Sequence, residues 1–296
     1  MNIRNLRGSI VAIATPFKEN GEIDFETFDG LLEWHIAQGT NAIVVCGTTG
    51  ETPTLTEEED EILIKRAVDV INKRIPVIAG SGSNATHDCV KYSQTAEKNG
   101  ADAVLVITPY YNKPARKGLY RHFSTVSQSI NIPVILYNVP SRTGCNIPYD
   151  LAIQLANDNP GIMGIKEAGG SIDVFANLLL NRPEGFKVYS GDDFLSMMAN
   201  FMGADGCISV VANIIPREFR NLMEYSLNGD VEKARLIFSK YKRLMDLMFI
   251  ESSPIPVKAA LAAMGKIGEI YRLPLCEMET NSKELLLREM KKTGLL

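Results

Sequence analysis

The sequence predicts a (β/α)8 barrel over residues 1–229 followed by a helical C-terminal domain over 230–296. Short apolar runs rich in valine and isoleucine recur eight times, for the most part alternating with segments of helical periodicity. The four-residue runs Gly39-Thr40-Asn41-Ala42, Gly100-Ala101-Asp102-Ala103 and Gly203-Ala204-Asp205-Gly206 echo one another, each a helix-ending glycine before a small-polar-small entry into a strand. No GxGxxG follows the first strand, and eight consecutive units suit a closed barrel better than a doubly wound open sheet.

Residues 9–17 open as a strand. Asp24 then caps a helix whose apolar positions Phe25, Phe28, Leu31, Leu32 and Ile36 recur at helical spacing until Gly39. Residues 41–46 form the second strand, and after a loop over 47–55 the capping box Thr56-Glu57-Glu58-Glu59 starts a helix reaching about Lys73. Strand three covers 76–79, a helix runs from about 86 to 99, and strand four, 101–108, is apolar enough for both faces to be buried. Strands five to eight follow at 133–138, 162–166, 186–190 and 207–211, with helices at 148–157, 172–180 and 193–202. Beyond about Asn228 the strand signals stop. Val231, Ala234, Ile237, Tyr241, Leu244 and Met248 mark an amphipathic helix, and two more occupy 254–264 and 282–292. Their apolar faces suit either the barrel or a second subunit.

A chain of 296 residues with 45% hydrophobic content can build one large core. With 31 basic against 35 acidic residues and no basic cluster longer than Lys291-Lys292, nucleic acid and anionic membrane are excluded as partners. The first apolar run, 9–14, is too short for a signal segment and nothing approaches the ~20 apolar residues of a membrane span, so a soluble cytoplasmic protein is expected. Five scattered cysteines without a CxxC pair suggest neither a disulfide framework nor a zinc site. His35, His87 and His122 lack HxxxH spacing and read as structural or surface residues, so no metal is expected.

In a barrel the working residues stand at the C-terminal ends of strands. The stretch 161–168, Gly-Ile-Met-Gly-Ile-Lys-Glu-Ala, sets Lys166 at the end of a buried strand. Most lysines near strand ends point into solvent. Burial disfavours an ammonium ion, so an amine held in an apolar barrel becomes a nucleophile able to form a Schiff base with a carbonyl. Strand two ends in Gly47-Thr48-Thr49-Gly50-Glu51, where glycines permit close backbone approach and two hydroxyls can donate to a carboxylate or pass a proton, although an ordinary turn has the same composition. Strand four ends in Thr108-Pro109-Tyr110-Tyr111-Asn112, and strand five in Tyr137-Asn138-Val139-Pro140-Ser141-Arg142-Thr143-Gly144. Tyrosines with a buried lysine, and an arginine able to fork onto a carboxylate, fit a site for an α-keto acid. Of the acids in Ser190-Gly191-Asp192-Asp193, Asp193 is expected to cap a helix.

These runs, in order along essentially the whole chain, resemble the family of 4-hydroxy-tetrahydrodipicolinate (dihydrodipicolinate) synthases. The GxxGE loop and the lysine are shared across the wider superfamily of pyruvate-dependent aldolases and lyases; the Tyr-Asn-Val-Pro-x-Arg-Thr-Gly segment is more specific. The resemblance implies that Lys166 condenses with pyruvate and that the resulting enamine attacks aspartate 4-semialdehyde, whose carboxylate is held by Arg142. It further implies a proton relay of Tyr137, Thr48 and Tyr111, the last reaching in from a neighbouring subunit, with Thr49 on the pyruvate carboxylate and Gly191 and Ile208 lining the pocket. Phenols with pKa near 10 are poor bases alone, so a hydrogen-bonded chain toward solvent makes physical sense. No metal or organic cofactor is implied, because the lysine is the electron sink. A homotetramer built as a dimer of dimers, or a homodimer, is implied as the assembly.

Two other readings share the barrel. A pyruvate-dependent aldolase acting on a sugar-derived aldehyde would keep Lys166, and Arg142 argues against it. A non-catalytic keto-acid sensor would have no use for a proton relay beside a nucleophilic amine. The family's lysine-inhibited members carry a regulatory pocket near Tyr110. Here Asn84 and Tyr110 are retained, while Glu57 and Asp60 stand where sensitive bacterial enzymes have histidines and Asp88 stands for a glutamate, so weak or absent feedback by lysine is expected.

Overall fold

The computed structural model describes residues 3–296. Eight parallel strands close on themselves in sequence order: β1 Gly8–Ala12, β2 Ala42–Val45, β3 Val77–Gly80, β4 Ala103–Ile107, β5 Val134–Asn138, β6 Ile162–Glu167, β7 Lys187–Ser190 and β8 Gly206–Ser209, with β8 paired to β1. Between them run α1 Phe25–Gln38, α2 Glu57–Ile71, α3 Thr86–Lys98, α4 Arg116–Gln128, the single turn α5 Pro140–Thr143, α6 Tyr149–Asp158, α7 Ile172–Asn181 and α8 Ser196–Phe201. Helices α9 Pro216–Leu227, α10 Val231–Leu247, α11 Ile255–Ala263 and α12 Thr280–Thr293 follow β8.

Local signals account for most boundaries. Asp24 accepts the Thr27 N–H at the start of α1, and the capping box forms at α2, Thr56 and Glu59 each accepting the other's backbone N–H. Gly39, Gly100 and Gly203 all adopt positive φ (85°, 88° and 106°), so the echoed runs share the left-handed glycine that follows each helix. β1 is shorter than expected: it ends at Ala12, and Phe17 only bridges Ile23 in an isolated antiparallel contact. The helices α4 and α9 were not among the elements expected. Both bury one face at helical spacing, Leu119, Phe123 and Val126 in α4 and Phe219, Leu222 and Met223 in α9.

Two apolar layers result. One lies between the strands and the helices. The other fills the barrel, with Ile10, Val44, Ile78, Leu105, Ile135 and Ile208 among its members. Leu6, ahead of β1, packs into the inner layer and its carbonyl accepts a 2.9 Å hydrogen bond from the Tyr189 hydroxyl. The N-terminal end of the barrel is therefore filled, and chemistry is left to the other end. No helix among the described residues is long and apolar enough to cross a membrane.

Candidate active site

One irregularity in β6 decides where Lys166 points. Along the β5–β6 ladder Val134 pairs with Ile162 but Ile135 pairs with Gly164, leaving Met163 as an extra residue. Without that bulge, strict alternation would set Lys166 on the face of Ile162, which packs on the helices. With it, Lys166 pairs with Tyr137 and both enter the barrel, the amine 4.2 Å from the tyrosine ring centroid. Lys166 is 5% exposed.

Gly191, after β7, makes room for that side chain. A Cβ there would stand 2.8 Å from Lys166 Cε and 2.7 Å from the Ala168 Cβ, closer than such atoms approach. The Gly191 N–H donates to the Glu167 carbonyl at 2.7 Å, which locks the two strand ends. Glu167 itself is buried. Its carboxylate accepts the Asn138 side-chain amide at 2.8 Å and the Gly169 N–H at 2.5 Å, and burial raises its pKa above the usual carboxylate range. Asn138 also accepts the Ile147 N–H, so this network ties the ends of β5 and β6 to the chain after α5.

Thr48, Thr49, Tyr137, Arg142, Lys166 and Gly191 line one cavity of about 810 Å3 at the C-terminal mouth. Arg142 sits on α5, directly after β5, and donates to the Ser253 carbonyl at 2.9 Å. Met245, Phe249 and Ser253 also line the cavity, a contribution of α10 and the chain leading to α11 that no sequence pattern announced. Ile208 is fully buried in the inner layer beneath this cavity's residues rather than on its surface. A second cavity of about 720 Å3 shares Thr48, Tyr137, Arg142 and Lys166, and extends past Tyr110 to Glu57 and Asp60. In it burial pushes the Asp60 carboxyl up to about 7, while Glu57 accepts from Lys91 and from the Tyr92 hydroxyl. Asn84 lies beside this region, its carbonyl accepting from Asn112.

Tyr111 stands apart. It lines neither cavity, is 89% exposed and takes a φ of 71°. The expected capping role of Asp193 is also corrected: Asp192 accepts the Phe194 and Leu195 N–H groups, at 2.8 and 3.1 Å. Asp193 is buried instead, and accepts the Val210 and Val211 N–H groups at 3.2 and 2.8 Å, joining the ends of β7 and β8. Burial raises its carboxyl to about 6.

The model of the dihydrodipicolinate synthetase family matches residues 5–293. A 4-hydroxy-tetrahydrodipicolinate synthase of Thermodesulfovibrio yellowstonii is 49% identical over 290 residues, 98% of this chain and 99% of its own. The crystal structure of dihydrodipicolinate synthase from Aquifex aeolicus superposes with a TM-score of 0.96 at 46% identity, covering 98% of this chain and 99% of its own. That of the chloride-inhibited Acinetobacter baumannii synthase complexed with pyruvate gives 0.96 at 43% identity, covering 98% and 100%. A lysine turned into the barrel by a bulge, a hydroxyl-bearing loop and an arginine across one cavity thus occur in a chain that belongs to the dihydrodipicolinate synthetase family.

Proposed function

We propose that the cavity condenses pyruvate with L-aspartate 4-semialdehyde, the 4-hydroxy-tetrahydrodipicolinate synthase reaction of lysine and diaminopimelate synthesis, through Lys166. The activity is that of the family, a lyase chemistry. The observation that carries the residue assignment is the Lys166 amine, buried over the Tyr137 ring in a cavity that also holds Arg142. The amine adds to the pyruvate ketone and water leaves, giving an iminium. That cation is an electron sink, so the methyl carbon loses a proton and an enamine forms. The enamine carbon bonds to the aldehyde carbon, whose oxygen takes up a proton. The substrate amine then attacks the iminium carbon, closing the ring and releasing Lys166.

Thr49, buried beside Lys166, fits the role of pyruvate-carboxylate donor, and Thr48 and Tyr137 that of passing the proton. Arg142, which lines the same cavity, fits the second carboxylate. Gly191 and Ile208 shape the pocket, one by lacking a side chain and one by filling the barrel below. Tyr111 completes the relay from a partner subunit of a homodimer or dimer of dimers, which accounts for its exposure on its own chain. The enzyme works in the cytoplasm, without metal or organic cofactor. Asn84 and Tyr110 border a regulatory cavity that binds free lysine weakly or not at all, because Glu57 is already engaged by Lys91 and Tyr92; half-maximal inhibition at micromolar lysine would refute this.

The test is pyruvate consumption by purified protein with aspartate 4-semialdehyde, beside N-acetylmannosamine and glyceraldehyde as competing aldehydes. Turnover confined to aspartate 4-semialdehyde, with Arg142→Ala raising the KM for that substrate and leaving the KM for pyruvate near wild type, is the expected result. Preference for a sugar aldehyde moves the protein to the aldolase branch.

A further inference from the structure

The loop that carries Thr48 and Thr49 ends in Glu51, whose side chain is completely buried. Its partner is Lys258 of α11, equally buried, 207 residues further along the chain. A pair without any solvent contact is costly to assemble, since two charges must be stripped of water, and removing one member leaves the other uncompensated. The surroundings are built for it. The Lys258 ammonium lies 4.3 Å from the Phe17 ring centroid and 5.2 Å from that of Tyr271, and the second Glu51 oxygen accepts the Arg272 backbone N–H at 3.3 Å. The Arg272 guanidinium in turn donates to the Thr54 carbonyl at 2.9 Å and to Glu59 at 2.6 Å, so the loop and the first turn of α2 meet the same C-terminal segment.

The backbone of Glu51 is held in the left-handed region, φ 58°, where a residue with a side chain is disfavoured. From there its N–H donates to the Thr48 carbonyl at 3.2 Å and closes the tight turn Thr48–Gly50, and Thr15 holds the same end by donating to the Gly50 carbonyl at 2.7 Å. The ion pair therefore anchors a single 3-10 turn, too short to hold its own position.

We propose that Glu51 and Lys258 are positioning residues for the reaction: the buried pair clamps the C-terminal helices onto the 48–50 turn and so aims the Thr48 and Thr49 hydroxyls at the carbon and carboxylate of the Lys166 adduct. Neither residue lines the substrate cavity, so both act through the turn. This rests on the Schiff-base reading of Lys166 given above.

The experiment compares wild type with Glu51→Gln, Lys258→Met and the double variant, and with Leu286→Ala, a core truncation in α12 away from the turn. Glu51→Gln keeps the shape of the side chain and guards against a Lys258 variant that fails to fold. Three quantities are read: melting temperature, borohydride capture of pyruvate on Lys166, and the rate at which the enzyme washes deuterium from methyl-labelled pyruvate. Expected are full capture at saturating pyruvate in every variant that folds, and washout and kcat lowered at least tenfold in Glu51→Gln and Lys258→Met. The double variant loses no more than the worse single one, because both break one device. Leu286→Ala, whatever its melting temperature, keeps wild-type washout. Washout unchanged in Glu51→Gln and Lys258→Met, or lowered equally in Leu286→Ala, overturns the positioning role while leaving the Schiff base intact. Absence of capture in wild type overturns the Schiff-base reading and the positioning role with it.

Discussion

Tyr137 and Lys166 face each other across β5 and β6 as ladder partners, and they share the barrel interior because β6 contains one residue more than β5 over the same span. The ring lies 4.2 Å from the amine, so packing and hydroxyl chemistry at Tyr137 are separable. Tyr137→Phe keeps the ring and removes the proton carrier. The expected outcome is normal borohydride labelling of Lys166 with kcat lowered by about 10²–10⁴, the usual worth of a positioned acid–base group. Wild-type kcat in this variant would remove Tyr137 from the relay.

Gly191 is the companion test of geometry. An alanine there meets Lys166 Cε at 2.8 Å and Cγ at 3.1 Å, and the lysine stem must move aside. A displacement of the nucleophile approaching 1 Å costs about 10²-fold in rate. Gly191→Ala is therefore expected to slow Schiff-base formation itself, unlike Tyr137→Phe, and stopped-flow measurement of adduct formation distinguishes them.

Tyr111 lines no cavity of its own chain, so its contribution is tested between chains. Lys166→Ala and Tyr111→Phe proteins are each expected to be nearly inactive. Unfolded together and refolded as mixed oligomers, they should recover roughly one quarter of wild-type activity, because half of the dimers are then mixed and each mixed dimer has one site with both residues intact. No recovery in assembled mixtures assigns Tyr111 to its own chain.

Asp193 makes stability depend on pH in a predictable direction. In the unfolded chain its proton leaves near the ordinary 3.8, whereas burial in the fold retains it to about 6. Between these values the folded state binds more protons, so stability falls as pH rises; the contribution is complete below about 3.8 and lost above about 6. Asp193→Asn lacks this dependence while keeping an oxygen for the Val210 and Val211 N–H groups. From pH 4 to pH 7 the stability of wild type relative to the variant should drop by about 2 kcal/mol, read from urea unfolding. A constant difference would mean that Asp193 is ionised across the whole range.

Sequence reasoning reached the barrel because its elements are punctuated locally. Gly39, Gly100 and Gly203 end helices, Thr56 and Glu59 begin one, and β-branched runs supply the strands. Helix α4 escaped because its first turn has two basic residues, disfavoured at that end, and a glycine, and because it carries serine, threonine and histidine through its middle, although Leu119, Phe123 and Val126 keep the spacing. Helix α9 has its proline at the first helical position, where it is favoured, a start signal that was not used. At the site, the individual side chains were legible at strand ends. Their orientation was not: alternation alone turns Lys166 outward, and only pairing with a different strand exposes Met163 as the extra residue. Asp193 was misread for the same reason, since the N–H groups of Val210 and Val211 that it satisfies lie 17 and 18 residues on.

The substrate cavity has two walls of different origin. Strand ends and their loops hold Lys166, Tyr137 and the threonines, while Met245, Phe249 and Ser253 come from the chain around α10 and α11. Lys166, Tyr137, the threonines and Arg142 thus sit in one framework, and the chain around α10 and α11 closes the cavity from another. Residues on the second wall can be exchanged without disturbing the strand ends that hold Lys166 and Tyr137, so a lineage starting from this architecture can reshape the cavity in small steps while the first wall is kept.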